Sequence, residues 1–547
     1  MRYTHIGEGA VLRRWALVCV FALLPATVKA SEVPRSNAYT QPHILRYAEA
    51  EDITGLNQVL SQQAVVGDLS QLTMAWLFRW DKENRPLPEL ATVVPSKQNG
   101  GISGDGKTIT YRLRKNVRWS DGEPFDASDV KFSFEVMNNK ANNVTTREGF
   151  ELITKIDEPD KYTVVLHLSE PYSLFIPNFF TSADGNPCLL PKHLLSGLAS
   201  INTAPYNQLP VGIGPFKYTS WKRGDSVEME ANPLYWRGAP KLHKIIFKIV
   251  PDRNTALTQL QTGELDLWVP FGGAFLSRVQ AMQNVVLGRH AIYTYNHLDF
   301  NTTRPAVRDR EVRRALRYAI DRVTLREKVA HGVGVLQESV LPAPYPGVPK
   351  LPFAAFDLNK ANALLDKAGW KRGSDGVRAK NGVRLSLDFA SSSGSPDVDT
   401  QIELIRASWQ RVGVELNVRR YQSSQLFAQY ADGGILNTGK FDVLVFATGI
   451  SPVDGLANYA CKLVPPAGQN VTHYCNPRLE PILRDFKSRY DFASQSRDLS
   501  AAVKLINDDV PTIVQASREE LYAYNKDLKG LHPNNVTFFD DMMNVDI

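Results

Sequence analysis

The sequence has few cysteines, no excess of one charge and no apolar segment of membrane-spanning length. Four cysteines in 547 residues are too few for a scaffold built on disulfides. The 63 basic and 57 acidic residues leave a net charge of +6, and no run of Lys and Arg indicates a nucleic-acid surface. The longest apolar stretch has about fourteen residues, whereas a spanning helix needs roughly twenty. We therefore expect a globular protein of two or three domains without nucleic-acid partners.

The N-terminal thirty residues have the pattern of a secretory signal peptide. Arg13 and Arg14 precede the apolar stretch WALVCVFALLPATV, and the small residues Val28 and Ala30 follow it. A basic start, a short apolar middle and small residues before the cleavage point are typical of exported proteins. The sequence predicts that residues 1–30 are removed, with cleavage after Ala30, and that the mature protein is exported.

The cysteines beyond the signal segment favour one disulfide. Cys461 and Cys475 enclose the loop KLVPPAGQNVTHY, which a disulfide would restrain in an oxidising compartment. Cys188 is left without a partner, and we expect it to be buried. A zinc site that includes His473 is the alternative, but the spacing fits no standard ligand pattern.

Two segments have the order strand, helix, strand. In KIIFKIVPDRNTALTQLQTGELDLWV a strand reaches Val250, and Asp252 and Gly263 bound a helix. In RLSLDFASSSGSPDVDTQIELIRASWQRVGVELNVRR a helix is predicted over residues 398–411. Such units imply parallel strands with crossover helices. Because the two units lie far apart, they predict two separate α/β lobes.

The acidic stretch RWSDGEPFDASDVKFSFEV, residues 118–136, is interpreted as structural. Asp126 has the position of a helix N-cap. Val130, Phe134 and Met137 follow at helical spacing, which predicts an apolar face toward a core. The pattern lacks the alternating oxygen ligands of a calcium loop.

Several sequence blocks resemble family 5 extracellular solute-binding proteins. They are YRLRKNVRWSDGEPFDASDVKFSFE, NQLPVGIGPFKYTSW with NPLYW, LQTGELDL, FNTTRPAVRDREVRRALRYAIDR and DLNKANALLDKAGW. They stand in the family's order between about Pro42 and Asn535. The resemblance implies an α/β fold of the type II periplasmic-binding-protein kind, with two lobes, an additional inserted domain and a ligand cleft between the lobes.

The resemblance also implies a division of the chain, with crossovers near residues 293–301 and 522–529. The first lobe would hold residues 31–78, 207–296 and 514–547, the inserted α/β domain residues 79–206, and the second lobe residues 297–513.

Members of this family are receptors of bacterial ABC importers, so we expect a monomeric periplasmic receptor that delivers peptides to permease subunits. The alternatives are a non-peptide polar solute (an oligosaccharide, an opine-like compound or a metal chelate) and, more remotely, a secreted hydrolase. The chain has no G-x-S-x-G or H-E-x-x-H motif, so we predict no catalytic residue, metal site or cofactor. The arginine-rich segment 308–328 is interpreted as one helix with Val312, Leu316 and Val323 toward a core and solvated arginines, which disfavours nucleic acid.

The ligand site is predicted from strand ends and from the family pattern. Peptide-binding relatives commonly carry a tryptophan where this chain has Thr448 and an ammonium-binding aspartate where it has Ser451. Either Asp454 or Glu51 then pairs with the ligand's ammonium, or the ligand has no free amino terminus. The predicted ligand-binding residues are Glu51, Asp52, Tyr295, His297, Thr448, Ser451, Asp454 and Tyr459.

Overall fold

The protein has a mixed α/β fold with long strands at its centre. The computed structural model describes residues 37–547 apart from residues 62, 82, 84, 183–185, 342–346, 429 and 450–454, so the predicted signal peptide lies outside the described residues. The strands are β1 (Ile44–Glu49), β2 (Phe78–Trp80), β3 (Pro86–Pro88), β4 (Thr108–Arg112), β5 (Ile153–Asp160), β6 (Thr163–Leu168), β7 (Phe216–Lys222), β8 (Ser226–Ala231), β9 (Lys244–Ile249), β10 (Leu267–Phe271), β11 (Val285–Phe300), β12 (Val335–Leu336), β13 (Lys371–Arg372), β14 (Arg378–Lys380), β15 (Val383–Arg384), β16 (Ser386–Ser392), β17 (Glu415–Tyr421), β18 (Val443–Gly449) and β19 (Thr512–Asn525).

The helices pack around these strands. They are α1 (Ala64–Thr73), α2 (Ala127–Asn138), α3 (Phe175–Asn178), α4 (Lys192–Leu195), α5 (Arg253–Thr262), α6 (Leu276–Gln280), α7 (Pro305–Arg308), α8 (Arg310–Tyr318), α9 (Arg322–Lys328), α10 (Leu358–Lys367), α11 (Pro396–Arg411), α12 (Ser423–Leu426), α13 (Leu479–Ser488) and α14 (Phe492–Asp509). None of the helices in the described part of the chain combines the length and the apolar character needed to cross a bilayer.

The largest sheet runs through both lobes. Among the described residues it has eleven strands, ten of them in the order β17-β16-β18-β11-β19-β10-β1-β9-β8-β7, with β12 beside β19. In the first lobe β1 lies parallel between β9 and β10. In the second lobe β16 lies parallel between β17 and β18. Both predicted strand–helix–strand units are confirmed, with α5 and α11 as their helices.

Two long antiparallel strands, β11 and β19, carry the sheet from one lobe to the other. They pair with each other from Val285–Asn525 to Asp299–Thr512. At one end β19 pairs with β10 of the first lobe, and at the other end β11 pairs with β18 of the second lobe. The β11–β19 register shifts between Ala291 and Tyr295. The regular pairing is therefore interrupted where the chain passes between the lobes.

The two cap residues predicted for helix α5 lie at its ends. Asp252 accepts the Thr255 N–H at 2.7 Å at the start of α5, and Gly263 ends the helix at φ +78°, a left-handed conformation that glycine adopts without steric cost. Because α5 begins directly after β9, its first residue, Arg253, lies at the carboxyl end of the first-lobe strands.

The acidic stretch 118–136 is structural, as the sequence predicts. The Asp126 carboxylate accepts the Ser128 N–H at 2.9 Å, and the Asp129 carboxylate accepts the Asp126 N–H at 3.1 Å, which together cap α2. The apolar face of this helix, which includes Val130 and Phe134, is buried. The helix packs beside a small sheet in the order β4-β6-β5.

The single helix predicted over residues 308–328 is wrong. The segment holds the last residue of α7 and two separate helices, α8 and α9, which the side chains of Asp309 and Asp321 cap. Val323 is 48% exposed rather than core-facing. An aspartate that caps a helix N-terminus begins a new helix even where the spacing of apolar residues continues. A prediction from apolar spacing alone therefore misses the break.

The arginines of this segment are also placed differently from the prediction. Arg313 and Arg322 are buried instead of solvated. Arg322 donates to the backbone carbonyls of Gln337 and Val514 and to the buried carboxylate of Glu338. Buried guanidinium groups are tolerated because carbonyls and a carboxylate satisfy their donors, so these arginines connect α8 and α9 to the β19 region.

Candidate ligand cleft and second-lobe cavity

A cavity of about 630 Å³ opens between the lobes, and we call it the cleft cavity. The carboxyl ends of β1 and β10, the start of α5 and the crossover strands meet there, and such strand ends are the usual position for ligands of α/β sheets. Its lining residues are Glu49, Ala50, Glu51, Ala64, Asp68, Asn186, Arg253, Pro270, His290, Ile292, Tyr293, Thr294, Gly449, Arg518, Glu520, Asn535, Val536, Thr537 and Phe538.

The acidic side chains of the cleft cavity differ in burial. Glu49 is buried, and its carboxylate accepts the Tyr47 hydroxyl at 3.1 Å. Glu51 is exposed and accepts the Gln63 amide at 3.0 Å. Glu520 lies 3.1 Å from the His290 ring. The acids that line this cavity are therefore already engaged in contacts within the protein.

Two arginines of the cleft cavity have no such engagement. Arg253 is the first residue of α5 and Arg518 lies on β19, and both are exposed at the cavity. Neither guanidinium has a hydrogen-bond or ion-pair partner among the described residues. Arginine presents a planar set of donors that matches a carboxylate, so the cavity offers two positions for an anionic group.

A second cavity of about 480 Å³ lies beside the paired part of β11 and β18, and we call it the second-lobe cavity because most of its lining comes from β18 and the segment after it. Tyr295, His297 and Asp299 alternate along β11 and so face the same side of the sheet, opposite Phe446 and Thr448 of β18. The lining residues are Tyr295, His297, Asp299, Tyr430, Leu436, Asn437, Phe446, Thr448, Asn458, Tyr459, Pro465, Pro466, Ala467, Gly468, Gln469, Val471 and Thr472.

A hydrogen-bonded chain crosses the wall of the second-lobe cavity. The His297 Nδ1 atom is 2.9 Å from an Asp299 carboxylate oxygen, and its Nε2 atom is 2.9 Å from the Thr448 hydroxyl. Asp299 also accepts the Thr512 hydroxyl at 2.6 Å, and the Tyr459 hydroxyl donates to Thr512 at 3.0 Å. Hydroxyl, imidazole and carboxylate follow one another as in a catalytic triad, here with threonine in the first position.

The two phenols of this wall are neutral. Burial raises the pKa of Tyr295 and of Tyr459 well above its usual range, because a phenolate would lose its hydration. Asp299 is 4% exposed and His297 is 2% exposed. The polar groups of this wall are therefore held in a buried hydrogen-bonded network.

The opposite wall is the loop closed by a disulfide between Cys461 and Cys475, the pair that the sequence predicts. Asn470, which is fully buried, donates to the carbonyls of Ala460 at 2.9 Å and Tyr474 at 2.7 Å. The disulfide and these hydrogen bonds hold residues 465–469 against the cavity. Cys188 is buried and free.

The predicted site residues fall into three groups. Glu51 lines the cleft cavity, and Tyr295, His297, Thr448 and Tyr459 line the second-lobe cavity. Asp52 lines neither, since its carboxylate accepts the Ile53 N–H at 2.8 Å. Ser451 and Asp454 lie outside the described residues. Whether these residues bind ligand stays a prediction.

Sequence reasoning missed the two arginines and Asp299. Arg253 directly follows the predicted N-cap Asp252 at the end of a strand. This position was a signal by which Arg253 could have been predicted to bind ligand. Asp299 stands two residues after His297, so strand alternation places both on one side of the sheet. The position of Arg518 depends on the pairing of β19 and had no local signal.

Two α/β lobes joined by crossover strands around a cleft are the architecture of proteins that bind a solute between their lobes. The family model described as bacterial extracellular solute-binding proteins, family 5 Middle, matches residues 85–463, which is more than half of the chain. The protein therefore belongs to this family, as its sequence blocks predict.

Characterised relatives cover nearly the same length. The chain is 25% identical to the oligopeptide-binding protein AppA of Bacillus subtilis, over 84% of this chain and 83% of that protein. It is 27% identical to the glutathione-binding protein GsiB of Pectobacterium atrosepticum, over 85% and 87%. The crystal structure of NikZ from Campylobacter jejuni in complex with Ni(L-His) matches with a TM-score of 0.74 at 25% identity, over 93% of this chain and 100% of that one.

Proposed function

We propose that the protein is the monomeric periplasmic receptor of an ABC importer, that it captures peptides between its lobes and that it delivers them to permease subunits. Membership of the solute-binding family supports the receptor function. Relatives named for oligopeptide and glutathione binding support the peptide ligand. The proposed lobes and inserted domain are those with the boundaries predicted from the sequence.

The observation that carries the proposal is the charge distribution of the cleft cavity. Arg253 and Arg518 come from different parts of the chain and leave their guanidinium donors unused, beside the acids Glu49, Glu51 and Glu520. A peptide carries a carboxylate at one end and an ammonium at the other. A cavity with charges of both signs therefore suits a zwitterion better than it suits an apolar solute.

Closure of the lobes would turn on β11 and β19. These two strands join the lobes through the main sheet, and their pairing is irregular between Ala291 and Tyr295. A change of a few backbone dihedral angles there would rotate one lobe toward the other and enclose the ligand.

A metal chelate is the second candidate, favoured by the similarity to NikZ with its bound Ni(L-His). Within the described residues, no group of three or more His, Cys, Asp and Glu side chains is arranged to hold a metal ion. A chelate would therefore be held through its organic part, whose carboxylates suit Arg253 and Arg518.

The test is native mass spectrometry of protein purified without denaturation, followed by calorimetric titration of the retained compound. We expect one peptide per protein molecule, released unchanged after long incubation. Retention of a nickel chelate, a sugar or an opine would contradict the peptide ligand and support a receptor for a non-peptide solute. Cleavage of the bound peptide would contradict a receptor without catalysis, and Thr448→Val would then show whether the Thr448–His297–Asp299 chain is responsible.

A further inference from the structure

The helices α13 and α14 form a hairpin that reaches from the second lobe to the proposed inserted domain. One end of the hairpin is fixed on α8 of the second lobe. There Arg317 donates to the Asn507 carbonyl at 3.0 Å, and Arg313 donates to the Asp509 carbonyl at 2.6 Å, just before the start of β19. The turn between the two helices, residues 489–491, lies at the other end. Because α14 has 18 residues, this turn stands about 27 Å from the fixed end.

The turn contacts the proposed inserted domain through the hydroxyl of Tyr490. That hydroxyl donates to the Gly106 carbonyl at 2.6 Å and accepts the Tyr172 N–H at 2.9 Å. Burial raises the pKa of Tyr490 to about 12, so the phenol keeps the hydrogen that the first of these bonds needs. Gly106 lies directly against the ring, because a Cβ atom at this residue would be 2.6 Å from the ring carbon Cε2. The contact therefore leaves no room for a side chain at Gly106.

A second set of hydrogen bonds runs beside the first and centres on Ser173, which is buried. Its N–H donates to the Lys487 carbonyl at 2.8 Å, and its hydroxyl donates to the Phe486 carbonyl at 3.1 Å. The Gln495 amide donates to the same hydroxyl at 3.1 Å. We call the residues of the two sets the latch: Gly106, Tyr172, Ser173, Phe486, Lys487, Tyr490 and Gln495.

The other side of the latch is fixed to the first lobe. The Leu77 N–H donates to the Phe180 carbonyl at 2.8 Å, and the Ser120 N–H donates to the Gly212 carbonyl at 2.9 Å. Leu77 and Gly212 belong to the first lobe by the predicted boundaries, and their partners belong to the inserted domain. The latch therefore joins the two lobes at a second place, apart from the strands β11 and β19 that connect them through the main sheet.

A rotation of the lobes about the irregular part of β11 and β19 displaces the groups that lie farthest from those strands most. A hydrogen bond tolerates little more than about 3.2 Å between its heavy atoms, so the bonds of the latch do not survive such a rotation. Resting on the proposed closure of the lobes around a ligand, we propose that the latch forms when the lobes close and breaks when they open. The proposed inserted domain then holds the closed receptor together and slows the release of ligand.

The groups of the latch suit a contact that forms and breaks. Its bonds join hydroxyl, amide and backbone groups, and water satisfies each of these groups once the contact opens. No ion pair is left without its partner in the open state. Because the latch stabilises the closed state alone, it shifts the equilibrium between open and closed receptor toward the closed one.

Amide hydrogen exchange tests the link between the latch and ligand binding. The probe is a randomised tripeptide library with free termini, added to saturation, and mass spectrometry follows the exchange. Because the N–H groups of Tyr172 and Ser173 donate across the latch, we expect peptide binding to slow their exchange about tenfold. The Leu168 N–H donates to the Lys107 carbonyl within the proposed inserted domain, and its exchange should not change.

Two glycines of one loop give a matched pair of variants. Gly106 has φ +75° and Gly100 has φ +69°, so alanine is strained to a similar extent at both. Nothing lies within 4 Å of a Cβ atom at Gly100, whereas at Gly106 the atom meets the Tyr490 ring. Gly106→Ala should weaken binding of the library about tenfold in calorimetric titration and abolish the slowing of exchange. Gly100→Ala should do neither.

Tyr490→Phe tests the hydroxyl of the latch and keeps the ring. We expect the same changes in the same direction, with binding of the library weakened about threefold. The control Tyr206→Phe also removes a hydroxyl, which donates to the Val211 carbonyl at 3.2 Å, and both of these residues lie outside the second lobe. Binding of the library by this control should equal that of the wild type.

Binding of the library without a change in the exchange of Tyr172 and Ser173, or equal binding by each variant and its control, would overturn the latch and leave the peptide receptor standing. Failure of the wild type to bind the library would contradict the peptide ligand. Small-angle X-ray scattering without peptide then decides the latch. A larger radius of gyration for Gly106→Ala than for Gly100→Ala would support it, and equal radii would overturn it.

Discussion

The cleft cavity and the second-lobe cavity differ in how their charges are held. In the cleft cavity, Arg253, Arg518 and Glu51 are exposed, and they come from three distant parts of the chain. In the second-lobe cavity, Asp299 and His297 are buried, and hydrogen bonds fix each of them. One cavity exposes its charged side chains, and the other keeps them in buried hydrogen bonds.

Because of this difference, we expect the two cavities to contribute differently to ligand binding. Exposed arginines attract any carboxylate and are weakened by salt and water, so they suit a group that every peptide has. A buried network whose polar groups already pair with one another holds the shape of a cavity wall, because leaving one of those groups unpaired is costly. We therefore expect the cleft cavity to supply affinity and the second-lobe cavity to supply selectivity.

The largest expected effect is on the free energy of unfolding, through the disulfide-closed loop between Cys461 and Cys475 that lines the second-lobe cavity. Replacing Cys461 and Cys475 by serine removes the closure of a short loop and should lower the free energy of unfolding by on the order of 3 kcal/mol, measured by urea denaturation. Reductant should destabilise the wild type and Cys188→Ala equally and leave the double variant unaffected. An equal response of all three proteins would show that the disulfide does not stabilise the fold.

The next effect concerns the buried carboxylate. One oxygen of Asp299 accepts from both Thr512 and His297. Asp299→Asn can keep that oxygen, but it removes the negative charge that strengthens both hydrogen bonds, and the new amide group brings donors where none is needed. We expect a loss of about 2 kcal/mol in the free energy of unfolding, measured by denaturation at pH 7.5. A variant as stable as the wild type would mean that Asp299 does not organise the wall of the second-lobe cavity.

Arg518→Gln tests the cleft cavity through binding. Loss of one charge-assisted hydrogen bond, about 1.4 kcal/mol, should weaken binding of peptides with a free carboxyl terminus roughly tenfold and leave amidated peptides unaffected. The matched control is Arg289→Gln, an exposed arginine of β11 that lines neither cavity. Titration calorimetry with both peptide forms measures the difference, and equal losses for both forms would remove Arg518 as a carboxylate partner.

The smallest expected effect is that of Glu51→Gln. Its carboxylate is exposed and accepts one hydrogen bond, from Gln63, so the free energy of unfolding should change by no more than about 0.5 kcal/mol. Thermal melting of Glu51→Gln, Asp299→Asn and the wild type side by side measures the difference. A loss as large as that of Asp299→Asn would break the distinction between an exposed and a buried cavity.

The sequence by itself determined the elements whose causes are local. The cap at Asp252, the capping box at Asp126 and the two strand–helix–strand units depend on residues within a few positions of one another. The ordered family blocks determined the class of protein. The short loop between Cys461 and Cys475 indicated that the two cysteines form a disulfide.

Only the tertiary structure decided how those residues are connected. Asp299 acquires its role from Thr512, which stands 213 positions later in the chain, and His297 acquires its role from Thr448, 151 positions later. The buried arginines of α8 and α9 find their carbonyl partners in the same long-range way. Periodicity tells which side of an element is apolar, but the partner of a buried polar group depends on which strands pair. That pairing is fixed by packing the whole sheet, so the sequence alone could not supply it.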